Sequence, residues 1–177
     1  NYLELMISEK SGNVMVVSGK NSKKIDYILA AVKAGLNVYA DKPLVTNPDG
    51  LKKLEEVFRV AKENNVLVYD IMTERFEVTT GIQKALSMVS SVFGELVDGT
   101  PENPAISKES IHHLFKYVSG KPLVRPAWFL DTEQQGEGII DVTTHLVDLV
   151  QWEAFPNQII QKTDIDMVSA KRWPTIL

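Results

Sequence analysis

Asp141, His145, Asp148 and Trp152 stand at i, i+4, i+7 and i+11, the spacing that puts side chains on one face of an α-helix. Polar groups hold the place of the usual apolar stripe, while Leu146, Leu149 and Val150 mark a neighbouring buried face. Histidine titrates near neutrality, and a carboxylate one turn away would hold its imidazole ready for proton transfer. A capping aspartate beside a hydrogen-bonded interior histidine accounts for the same spacing. The second constellation is Asp41-Lys42-Pro43. A partly desolvated lysine can donate to a substrate hydroxyl or carbonyl oxygen, and a surface lysine in a proline-stiffened turn is the plainer alternative.

Three further features carry less. Gly136 and Gly138 would let backbone approach a ligand closely, or would simply form a turn. His112 and His113 are adjacent, so on a strand they point to opposite faces and make no compact metal pair, and no metal site is expected. Lys20, Lys23 and Lys24 crowd a helix start, where the dipole disfavours cations; an anion contact or a solvated basic turn would explain them.

The elements that must position these residues follow from periodicity. Leu3, Met6 and Ile7 have helical spacing, and Ser11, Gly12 and Asn13 break it. Val14 to Val17 is a short all-apolar run, which reads as a strand buried on both faces. Ser22 is expected to cap a helix reaching Ala34, with Gly35 as its left-handed terminator, and Val38 to Ala40 forms the next strand. Asn47 and Pro48 open a helix that closes at Asn64 and Asn65, before a third buried strand from Val66 to Tyr69. Strands alternating with amphipathic helices imply a parallel sheet with right-handed crossovers.

After about Thr73 the pattern changes. Ile82, Leu86, Val89 and Phe93 suggest one helix, and Gly94 to Ser107 reads as a loop. Ile111 to Val118 and Leu123 to Leu130 are strand candidates forming a hairpin, a helix runs from about Ile140 to Glu153, and Ile159 to Ala170 alternates like a strand. The expected fold class is therefore α/β: the second half of a Rossmann-type parallel sheet over residues 1–72, then part of an α+β domain with a mainly antiparallel open sheet over residues 73–177.

Composition narrows the function classes. The 177 residues are 44% apolar and 24% charged, an ordinary globular mixture. Nineteen basic against 23 acidic residues give a net charge of −4, so nonspecific nucleic-acid binding is not expected. No apolar run approaches the roughly 20 residues of a membrane span, and a soluble cytoplasmic protein is expected. With no cysteine, disulfides, thiolate metal sites and a cysteine nucleophile are excluded. The chain opens at Asn1 in what reads as mid-helix, so a preceding segment is expected.

Val14 to Val17, Asn21, Ala34-Gly35, and Val38-Tyr39-Ala40-Asp41-Lys42-Pro43 together resemble the Gfo/Idh/MocA oxidoreductases. That family has a strand, Thr-Pro-Asn, a helix ending Ala-Gly, a second strand and Glu-Lys-Pro. Gly19, Lys20 and Asn21 align with Thr-Pro-Asn, so only the Asn matches; Asp41 replaces the Glu, and Lys24 takes a position where the family often has His. Trp128, Gly136 to Gly138, and Asp141, His145 and Asp148 look like the family's Trp, Gly-Gly-Gly and Asp-x-x-x-His-x-x-Asp.

The resemblance implies NAD- or NADP-dependent hydride transfer at a hydroxyl-bearing carbon of a sugar or cyclitol. It makes Lys42, Asp141 and His145 the catalytic residues and places Gly19, Asn21, Asp41 and Lys42 at the cofactor. Lys42 would orient the reacting hydroxyl, His145 would act as acid and base, and Asp141 would hold them in place. A small sugar-like substrate is the expected partner, and a homo-oligomer is expected of the full-length protein. No GxGxxG occurs in these residues, so the phosphate-binding turn is expected before Asn1, and the 177 residues alone are expected to be inactive. The alternatives are an NAD-dependent glycoside hydrolase of the same fold and a noncatalytic binding or regulatory protein that retains it.

Overall fold

The computed structural model describes residues 2–109, 116–171 and 173. In chain order the elements are α1 (Tyr2–Glu9), β1 (Val14–Val17), α2 (Lys24–Lys33), β2 (Asn37–Ala40), α3 (Asp49–Glu63) and β3 (Val68–Asp70). There follow α4 (Val78–Ser87), α5 (Ser90–Phe93), β4 (Tyr117–Val118), β5 (Lys121–Pro122), α6 (Thr132–Gln135) and α7 (Thr144–Ala154). Contacts divide the chain into two compact units, Asn1–Thr73 with Ile111–His145, and Glu74–Ser110 with Leu146–Leu177.

In the first unit β1, β2 and β3 form a parallel sheet in that order, with Val16, Tyr39 and Tyr69 in register. Local chemistry sets the connections. Gly35 adopts φ +75 after α2, a conformation an L side chain resists. Asn47 caps α3 by accepting from the Gly50 amide at 3.0 Å, and Asn64 ends it while donating to the Val32 carbonyl at 2.8 Å. Ile28, Val32, Val38, Ala40 and Val57 are the fully or almost fully buried centre of the core that α2 and α3 make with the sheet.

Four local expectations need correction in this unit. The strands are not buried on both faces: Val17, Val38 and Ala40 face the core, but Val16 and Tyr69 are 64% and 59% exposed. A four-residue apolar run looks the same whether one face or two is covered. Ser22 does not cap a helix, because a 3₁₀ turn over Asn21–Lys23 precedes α2 and no side chain caps either. The hairpin ladder is only two residues per strand, turning at Ser119 and Gly120, both at positive φ. Pro122 and Pro126 cannot donate to a ladder, and Ala127–Leu130 forms a 3₁₀ turn instead of a strand; residues 111–115 of the first candidate strand, with His112 and His113, lie outside the described residues.

Finally, the helix expected from Ile140 begins as a π-helical turn over Ile139–Thr143 before α7. Such turns are rare and shift the phase of side chains on either side.

In the second unit the single expected helix is two. Met88 caps α4, Val89 leaves helical geometry, and Ser90 starts α5. Residues 94–109 form no regular element, as their composition implied. Ile159 to Ala170 is not a strand: Gln161 and Asp164 form a reciprocal capping box around a 3₁₀ turn at Lys162–Asp164. Side chains that bond nearby backbone in this way offer it an alternative to a ladder. Among the described residues no helix is long and apolar enough to cross a membrane.

Candidate functional site

The site gathers at the carboxyl ends of β1 and β2, where open parallel sheets bind ligands. Lys42 follows β2 directly, and the Lys42–Pro43 peptide is cis. Its Nζ donates to the Asp141 carbonyl and, at 2.9 Å, to the Asp141 Oδ1, across 99 residues of sequence. Both side chains are largely shielded, 19% and 11% exposed, so each charge depends on the other.

Asp141 sits inside the π turn, and Gln135, at the end of α6, donates to the same Oδ1 at 3.1 Å. The Gln135 carbonyl accepts from Asn21 Nδ2 at 2.8 Å. The Asn21 Oδ1 in turn accepts from Lys24 Nζ at 2.8 Å, and that ammonium also donates to the Asp41 and Lys42 carbonyls. The hydrogen bonds therefore close a ring, Lys24 to Asn21 to Gln135 to Asp141 to Lys42 and back to Lys24. Each member fixes its neighbours, which is the condition for a polar group at an interior position to hold one geometry.

Lys24 is buried at 1% exposure. Burial holds its ammonium below the usual lysine range, partly offset by the Asp41 charge. With the folded pKa below the unfolded one, the unfolded chain binds more protons in the interval beneath 10.5, so this residue's contribution to stability improves as pH rises there. Lys24→Met leaves Asn21 Oδ1 and two carbonyls short of a donor, an expected loss of about 1–3 kcal/mol. Thermal unfolding of wild type and variant across alkaline pH checks both points: the wild type shows the rise and the variant lacks it. A difference independent of pH would contradict the assignment.

Gly19, Asn21, Asp41, Lys42 and Asp141 all line one cavity of about 390 Å³, with Arg125, Trp128, Phe129 and Gln135 among the other walls. Lys20 Nζ lies 5.3 Å from the Trp128 ring centroid and donates to Gln134 Oε1. Gly136, at φ +92, packs its backbone against Thr46, where an added Cβ would stand 3.4 Å from Cγ2. His145 lies one residue into α7, partly buried, and does not line this cavity.

The helical face read from Asp141, His145, Asp148 and Trp152 does not act as one group. Asp141 pairs with Lys42, whereas in the second unit Asp148 receives a two-pronged ion pair from Arg75, and Lys84 Nζ lies 3.8 Å above the Trp152 ring. Gln135 was not singled out by sequence; its position just before the glycine stretch was the available signal. For Lys24 the signal was Asn21 three residues earlier, the spacing that lets the two meet.

The family model described as "Putative oxidoreductase C terminal domain" matches residues 82–177, just over half the chain. The chain belongs to this oxidoreductase family, whose description agrees with the resemblance to the Gfo/Idh/MocA oxidoreductases read from the sequence. Within this family it is 60% identical to a solved structure described as a "putative oxidoreductase" from Parabacteroides merdae, over 90% of this chain and 36% of that one, with a TM-score of 0.83. An NAD-binding protein from Listeria innocua matches at 15% identity and TM-score 0.63, over 86% of this chain and 40% of that one. A "putative myo-inositol dehydrogenase" from Sinorhizobium meliloti matches at 12% identity and TM-score 0.59, again over 86% and 40%. At those last two identities the likeness is one of fold: a parallel sheet with helices, followed by further α and β elements. The chain spans about two fifths of the length of these solved structures. Among curated proteins none matches it.

Proposed function

We propose that the full-length protein transfers a hydride between NAD or NADP and a hydroxyl-bearing carbon of a sugar- or cyclitol-type substrate. The observation that carries this reading is the Lys42–Asp141 ion pair at 2.9 Å, made in a cavity at the carboxyl end of a parallel sheet. Two of the three Lys42 donors go to Asp141, which leaves the third to meet a substrate oxygen.

The residues present fit a dinucleotide. Nothing lies within 4 Å of where a Cβ on Gly19 would stand, so backbone there is open to close approach. Gly19, Asn21, Asp41 and Lys42 would hold the cofactor, which when bound supplies the two-electron acceptor. Lys42 orients the substrate hydroxyl and stabilises negative charge as it develops on that oxygen. His145 takes the hydroxyl proton, so the substrate loses one hydride and one proton. Asp141 and the ring of hydrogen bonds behind it keep Lys42 in line.

The test is to mix the full-length protein with NAD or NADP and a panel of sugars and cyclitols and to follow reduced nicotinamide. Steady formation with some member of the panel is expected; no reduction with any member would overturn the reading.

A further inference from the structure

The hydride and proton transfers above do not use Lys24, the largest fully buried side chain among the described residues. It does not line the cavity. Its ammonium has three N–H donors, and three oxygens take them: Asn21 Oδ1 at 2.8 Å, the Asp41 carbonyl at 2.8 Å and the Lys42 carbonyl at 3.3 Å. No donor is left for a substrate. Desolvating an ammonium is costly, and charge-assisted bonds to three converging oxygens offset that cost. The sheet supports the chain as far as Asp41, whose N–H donates to the Val17 carbonyl at 2.8 Å while the Ala40 carbonyl accepts from Ile71. Pro43 has no N–H to continue the ladder. Lys24 takes up the two carbonyls that lie just past it.

The same ammonium bears on both ends of Lys42. At the root it holds the backbone from which the Lys42 side chain leaves. At the tip, Lys42 Nζ meets Asp141 Oδ1 at 2.9 Å, and that oxygen also accepts from Gln135 Nε2 at 3.1 Å. The Gln135 carbonyl accepts in turn from Asn21 Nδ2 at 2.8 Å. Lys24 sets the direction of this chain of bonds, because an Asn21 amide whose Oδ1 faces a donor must turn its Nδ2 the other way, toward Gln135. Without the ammonium the root loses its tie and the Asn21 amide loses its reason to point at Gln135. A misplacement of about 1 Å in a group that acts on a reacting atom can cost about 100-fold in rate. We infer that Lys24 is a positioning residue for the reaction, holding Lys42 at its backbone and, through Asn21 and Gln135, at its ammonium. This rests on the oxidoreductase reading and adds to it a residue that touches neither substrate nor cofactor.

A double-mutant cycle in the full-length protein decides it, assayed below each variant's melting transition with NAD or NADP and a polyol that the wild type oxidises. Lys24→Met is expected to lower kcat about 10- to 100-fold while KM changes less than about three-fold. In a Lys42→Ala background the same substitution is expected to cost no more than about two-fold further, because a residue that acts through Lys42 then has nothing to position. Lys24→Gln keeps two donors, one bond nearer the backbone and without charge. It is expected to fall between wild type and Lys24→Met, and it takes that variant's place in the cycle if Lys24→Met does not fold. Equal losses in the two backgrounds would make Lys24 a support of the fold at large and overturn the inference. So would a Lys24→Met kcat within about two-fold of wild type. A crystal structure of the full-length Lys24 variant gives a readout that needs no turnover: the Lys42–Asp141 pair, 2.9 Å in the wild type, is expected to part or to shift by about 1 Å. An unmoved pair would overturn the inference. A displaced pair in a protein that reduces no nicotinamide would leave Lys24 as the residue that places Lys42 and remove the oxidoreductase reading, and reduction by a wild type whose variant keeps the pair unmoved would do the reverse.

Discussion

Lys42→Ala in the full-length protein is expected to lower kcat by about 100-fold or more, the usual size of losing a positioned group that acts on the reacting oxygen. The effect should fall on kcat more than on KM, because the ammonium interacts most strongly once negative charge gathers on that oxygen. Removing Lys42 also leaves the Asp141 carboxylate shielded without its cation, so a lower melting temperature is expected beside the kinetic loss. Assay below the variant's transition separates the two. A kcat within a few-fold of wild type would mean that the pair serves only the fold.

His145→Ala is expected to cost a similar factor, about 100-fold in kcat. Its signature differs. A residue that accepts the hydroxyl proton gives the rate a pH-dependent limb, and exogenous imidazole can stand in for a missing one. The variant should lose the limb of the kcat profile that depends on the imidazole and recover part of its activity with added imidazole. An unaltered pH profile would remove His145 from proton transfer. Because His145 stands one residue into α7 and outside the cavity lining, its role in the proposal depends on reaching bound substrate, and this variant is the direct check.

The parallel unit was legible because its signals were local and redundant. Each helix had an apolar stripe, and Gly35, Asn47-Pro48 and Asn64-Asn65 punctuated them where the structure has its turns and caps. What local pattern could not report was coverage. Val14 to Val17 is apolar throughout, yet Val16 is largely exposed and Val17 is buried, a difference set by what packs on each face. Ile159 to Ala170 failed for a related reason: alternation describes a strand only when backbone partners exist, and here the Gln161–Asp164 box takes the local donors.

The site was legible to a different degree. The sequence resemblance named Lys42 and Asp141 together, and the structure bonds them across 99 residues. The grouping of Asp141 with Asp148 and Trp152 assumed 3.6 residues per turn throughout, and the π turn at Ile139–Thr143 breaks that assumption. Lys24 was harder still. Lysine is rarely fully buried, and although Asn21 three residues earlier was within reach, no local pattern announced that the same ammonium would also tie down the Asp41 and Lys42 carbonyls.

The central claim is that a hydride leaves a substrate carbon held at Lys42. The most direct measurement uses a polyol that the full-length protein oxidises, deuterated at the reacting carbon, with the nicotinamide product analysed for label. Deuterium carried into the reduced nicotinamide, at a rate about 100-fold lower in Lys42→Ala, is the predicted result. Deuterium released to solvent, or label transfer unaffected by Lys42→Ala, would contradict it.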